Sequence, residues 1–195
     1  MNGTLLLLLL IYSGFTINLV LQCALGINGI AESKSPLNIS TLIKTGLIFF
    51  TVILLWFFFS RMLYSLFSGI FIYVLLFPVS AIAYDGLEFL VFRYIAKKDA
   101  ESDSIISFPG GITAVAVFIC INIANNFLET IVLSFGFVFG ILFVNLIVRE
   151  IRRRASLEAV PHFLRGKPLV LVAMGLLSLV FSTASLLIFR MIGEG

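Results

Sequence analysis

The sequence predicts an all-α membrane protein of six transmembrane helices, arranged as two inverted three-helix repeats. Three observations carry this expectation. Of the 195 residues, 61% are hydrophobic and only 12% are charged, against about a quarter charged in a soluble domain. The apolar residues fall into runs near the roughly 20 residues that cross about 30 Å of hydrocarbon, with none of the alternation of a barrel strand. Residues also recur at a spacing close to half the chain: Gly14 with Gly111, Thr16 with Thr113, Val20 with Val117, Cys23 with Cys120 and Asn28 with Asn125. Three spans per half is an odd number, so the second copy enters from the opposite side. The chain is one domain, 1–195, with halves of about 1–97 and 98–195.

This composition excludes a soluble enzyme, a nucleic-acid reader and a disordered tail. The chemistry is limited by two cysteines and the lone His162. No C-x-x-C, no H-E-x-x-H and no phosphate-cradling loop occurs.

The first run, about 5–27, lacks a basic leading region and is too long for a signal peptide, so it reads as a retained span. The second covers 45–60 and starts nearer 39, with Lys44 snorkelling toward the interface. The third, 63–84, contains Pro78, which removes a backbone donor and is expected to kink it, and 87–98 reads as its cytoplasmic end followed by a short loop. The fourth, fifth and sixth cover 105–124, 127–148 and 169–192. Asp85, Glu88 and Glu129 lie near span ends and read as solvated interfacial carboxylates.

Loop charges orient the chain. Lys34, Lys44, Arg93, Lys97, Lys98, Arg149, Arg152, Arg153, Arg154, Arg165 and Lys167 fall on or next to one side, and only Arg61 and Arg190 on the other. The positive-inside rule then puts both termini on the non-cytoplasmic side, and makes 149–167 a cytoplasmic loop able to touch anionic lipid.

Inverted repeats place their site near the bilayer midplane, where interrupted helices expose backbone groups. Candidates for such a broken-helix or ion-path site are Asn18, Gln22 and Asn28 in the first span, and Asn122 and Asn125 at the end of the fourth. The segments 26–29 and 125–126 read equally as ordinary helix-end turns. Gly136 and Gly140, and Gly175, Ser178, Ser182 and Ser185, allow close helix approach.

From Phe127 to about Leu187 the chain resembles the Rnf/Nqr membrane subunits, in particular the RnfA/NqrE branch. The resemblance lies in Phe127-Leu128-Glu129, Gly140, Val148-Arg149-Glu150-Ile151-Arg152, Val160-Pro161-His162-Phe163-Leu164-Arg165-Gly166 and Met174 to Leu179. Asn18 and Leu25-Gly26 extend it to the start, while about 34–107 matches only in pattern. It implies a non-autonomous subunit of a complex that couples electron transfer, between ferredoxin or a quinone and NAD(H), to Na⁺ or H⁺ translocation. It also implies an RnfE/NqrD-like partner, the cytoplasmic membrane of a prokaryote, and a [2Fe–2S] cluster shared between the two subunits. The family cysteines correspond here to Asn28 and about Val115, whereas Cys23 and Cys120 sit five residues away in opposite directions. Cys23 and Cys120 are therefore candidate cluster ligands through a displaced register, or else small buried hydrophobes. Two other readings stand beside this one: the six-helix binding component of a vitamin-type transporter, and a cofactor-free structural relative.

Overall fold

A computed structural model describes residues 3–23, 39–60, 69–96, 109–157, 161 and 166–193. Among them there is no strand; the fold is helical throughout. We label the helices α1 (Gly3–Ile11), α2 (Ile39–Phe58), α3 (Gly69–Leu90), α4 (Pro109–Ile123), α5 (Phe127–Leu157) and α6 (Lys167–Gly193). Three stretches are long and apolar enough to cross a membrane: Tyr73–Arg93, Phe127–Ala155 and Lys167–Leu187. Leu5–Thr16, Leu42–Phe58 and Pro109–Ile123 are apolar but shorter.

Several boundaries differ from the expected spans, for identifiable reasons. The first span stops early: α1 widens into a π-helical turn over Tyr12–Thr16 and then leaves helical geometry. The third continues through its expected cytoplasmic end as helix, past Asp85 and Glu88 to Leu90 and through a π-helical turn, Val91–Ala96. Its charge does not end the helix because Glu88 finds a partner inside the bundle. Pro78 lies on the exposed outer face of α3, which continues beyond it. The fifth runs on to Leu157, so the first part of the expected 149–167 loop is helix. Arginine is a good helix former, and Glu150 pairs with Arg154 one turn later at 3.1 Å.

The fourth span, read either as broken near the midplane or as closed by an ordinary helix-end turn at 125–126, is continuous as α4 from Pro109 to Ile123. Its interruption falls beyond its end, at Ala124–Asn126. There Glu129, in the first turn of α5, accepts the Asn125 backbone N–H at 2.8 Å. This carboxylate is buried rather than solvated; it caps the orphan donors at the start of α5.

Neighbouring elements fix the directions of the helices. Lys44, early in α2, meets Glu88, late in α3. Gly110, at the start of α4, lies 3.2 Å from the Ala81 backbone by its would-be Cβ, and Asn122, at the end of α4, accepts from the Tyr73 hydroxyl at 3.2 Å. So α3 is antiparallel to both α2 and α4. Phe181 of α6 packs on Phe143 of α5. Each lies 14 residues, about 21 Å, from the end of its helix nearest the connection. A parallel pair would require the nine intervening residues to span about 42 Å, beyond their extended reach of about 35 Å. The helices α5 and α6 are antiparallel too. Trp56, near the end of α2, lies 6.3 Å ring to ring from Phe127 at the start of α5, so Lys44, Arg93, Arg149, Arg152, Arg153, Arg154 and Lys167 lie toward one end of the bundle and Arg190 toward the other.

The packing has an internal symmetry. The helix α1 and its wide turn lie on α5 and α6, while α4 lies on α2 and α3. Centrally, α2 packs on α5; α2 also packs on α3, as α5 does on α6. Exchanging the first three helices for the last three maps each of these contacts onto another, with the contact between consecutive α4 and α5 excepted. Leu133, Phe137, Ile141, Val144 and Val148 form the buried stripe of α5, with Leu76, Ile112, Val117 and Leu55 among the residues that complete the core.

Candidate functional site

The interruption of α1 is built from three residue types. Asn18 is 1% exposed. Its side-chain oxygen accepts the backbone N–H groups of Val20 and Leu21 at 3.1 and 3.2 Å, and its Nδ2 donates to the Gly14 carbonyl at 3.0 Å. A short amide that satisfies nearby backbone groups gives the chain an alternative to helix. Two glycines of α5 hold the turn in place. A Cβ on Gly140 would come within 2.6 Å of the Gly14 carbonyl and 2.9 Å of Asn18 Nδ2, and one on Gly136 would overlap Ser13. The Gly136–Gly140 face thus meets its partner inside the chain. Phe15 closes the contact from the side, with ring centroids 5.4 Å from Phe181 and 5.6 Å from Phe143. Gly140 lies 13 residues into α5, so the interruption sits about 20 Å along that helix.

The remaining sequence candidates do not converge on this point. Gln22 and Cys23 are exposed at its far side, and Asn28 lies outside the described residues. Asn122 is exposed near the end of α4 and donates to the Phe118 carbonyl at 2.7 Å. Asn125 is exposed at the α4–α5 turn, at the opposite end of the bundle from the basic residues. Gly175 is also exposed and has open space around it, so no close approach uses it.

The two thiols have opposite environments: both are free, Cys23 exposed and Cys120 fully buried. A cluster shared across a subunit boundary needs four ligands, two from each side, presented together at that boundary. Cys120 is enclosed by this chain's own helices, whereas Cys23 faces outward. Among the described residues, no group of three or more His, Cys, Asp or Glu side chains gathers into a metal site.

One pair that the sequence reading placed at the interface is instead inside the fold. Lys44 Nζ lies 3.1 Å from Glu88 Oε1, with the side chains only 7% and 18% exposed. The ammonium also stands 5.6 Å from the centre of the Phe92 ring, an attraction that strengthens when water is excluded. Along α3, Leu76, Ser80 and Tyr84 precede Glu88 at intervals of four and are fully buried, so the carboxylate ends a row that runs down the buried face of the helix. Glu88 and Lys44 were legible as a pair only through pairing α2 with α3. Each alone resembles an ordinary span-end charge. Asn145, a further buried amide on α5 whose Nδ2 has no hydrogen-bond partner, carried no local signal either.

No family model matches the chain, and no curated protein matches it.

Proposed function

We propose that this chain is an integral subunit of an Rnf/Nqr-type complex in a prokaryotic cytoplasmic membrane, and that its contribution to redox-driven Na⁺ or H⁺ translocation is the ion-conducting bundle. The observation that carries the reading is the Lys44–Glu88 pair enclosed between α2 and α3. The pair lies at the basic end of the bundle, where a path through it would open, and charges enclosed in a membrane bundle are expensive and concentrate where ions or protons move. A cation or proton arriving at Glu88 competes with the Lys44 ammonium for the same oxygens. Releasing the ammonium loosens α2 from α3, which couples occupancy to helix position.

The reading draws further support from the exchange symmetry of the contacts, which suits two inverted three-helix repeats, and from the α1 interruption beside Gly140. The apolar part of α5, 127–148, is about 33 Å long, so that interruption falls near its middle. The basic residues at one end favour a cytoplasmic placement of that end, with both termini opposite. The residue resemblance over 127–187 supplies the redox context, and no electron-transfer step is assigned to Cys23 or Cys120.

The test is to purify the tagged chain from its native membrane with whatever accompanies it. The reading expects a second helical subunit, flavin- or iron-bearing subunits, and cation uptake by reconstituted vesicles when a reductant is added. A chain that purifies alone, or a complex without redox centres, would overturn it.

A further inference from the structure

Beside the α4–α5 turn lies an open cleft of about 920 Å³. One wall is the end of α2, with Trp56 and Phe57; the other is the end of α4 and the start of α5, with Ile121 and Phe127. By position along the helices, the apolar residues line the deeper part, and Ser60, Asn125 and Asn126 stand at the outer end. These polar groups are unequally engaged. Asn126 Nδ2 lies 3.4 Å from Glu129 Oε1 and the Asn125 backbone N–H is held by the same carboxylate, while the Asn125 side chain is exposed. The Ser60 hydroxyl is buried with no hydrogen-bond partner, and a buried polar group left so is costly.

The surroundings identify the kind of occupant. Leu54 and Phe57, both lining residues, are 54% and 58% exposed, so the cleft opens sideways from an apolar helix. For a helix in a bilayer that direction is lipid, not water. The volume is within the range of sites for drug-sized ligands, about 300–1,000 Å³. The polar residues sit where the apolar runs end, the level at which lipid headgroups and their ester groups lie.

We propose that this cleft is a binding site for one membrane lipid, with an acyl chain along Trp56, Phe57 and Phe127 and the glycerol–headgroup region hydrogen-bonded by the exposed Asn125 side chain. The site rests only on α2 lying in the bilayer, so it stands or falls separately from ion coupling.

Trp56 is the sole tryptophan, and its fluorescence reports occupancy directly. The full chain is reconstituted into phosphatidylcholine vesicles with ordinary or with acyl-brominated chains. Most of the Trp56 emission should be lost in the brominated vesicles, and Ile121→Phe, which fills the deep end, should restore much of it. Native mass spectrometry of the wild-type chain, which needs no variant, should show one retained phospholipid, and Asn125→Ala should lose it at lower activation. Equal emission in the two vesicles would overturn the proposal. So would equal quenching of wild type and Ile121→Phe, which would assign the effect to surrounding lipid, or stronger quenching by aqueous iodide than by bromine, which would make the cleft a solute site.

Discussion

Two stretches 97 residues apart share glycine, threonine, valine and cysteine at matching places yet fold differently. Tyr12–Cys23 leaves the helix through a wide turn, whereas Pro109–Cys120 remains a regular helix. Asn18 stands in the first where Val115 stands in the second. The surrounding contacts differ as well: Ser13 and Gly14 are pressed by Gly136 and Gly140 of α5, while Gly110, at the place of Ser13, packs sideways on Ala81. Small residues therefore permit either outcome. A buried amide that bonds its own backbone, held by a neighbouring glycine face, selects the interruption.

The comparison can be broken most forcefully at the glycine face. Gly140→Leu has nowhere to place its side chain beside the Gly14 carbonyl, and should prevent recovery of monodisperse protein in detergent; Gly140→Ala, an overpacking change, should cost about 1–3 kcal/mol in a denaturation series. Next in size is the pair that ties α2 to α3. Lys44→Met leaves the largely enclosed Glu88 without its cation and should cost about 3 kcal/mol, whereas the double change Lys44→Met, Glu88→Leu should recover most of that. Asn18→Val, which copies the α4 residue into α1, orphans two buried N–H groups and should cost about 2–3 kcal/mol. The reciprocal Val115→Asn should leave α4 helical, because no glycine face holds a turn there; hydrogen exchange across 109–123 would report it. Smallest is Glu129→Ala, which removes a cap common to neither stretch and should cost about 1 kcal/mol.

Much of the helical layout was legible because apolar run length is a strong, local signal. The runs at 127–148 and 169–192 anticipate α5 and α6 within a few residues at their apolar ends. Boundaries failed where a charge is satisfied at long range. Glu88 reads as the end of a span until Lys44, 44 positions earlier, is known to lie beside it. Glu129 reads as interfacial until the Asn125 backbone is seen to need an acceptor. Within the candidate site, Asn18 was visible as an amide in an apolar run, and the structure gives it a specific role. Cys23 and Cys120 drew attention through their spacing and rarity, but spacing along a chain carries no information about burial. The interrupted α1 places one at the surface while the regular α4 encloses the other.

The central claim is that the enclosed Lys44–Glu88 pair couples cation occupancy to the bundle. Its most direct test is reductant-driven cation uptake by vesicles carrying the intact complex with Glu88→Gln, an isosteric change that removes only the charge. The account predicts that uptake falls to a small fraction of the wild-type rate while the complex remains assembled. Wild-type uptake in that variant would contradict it.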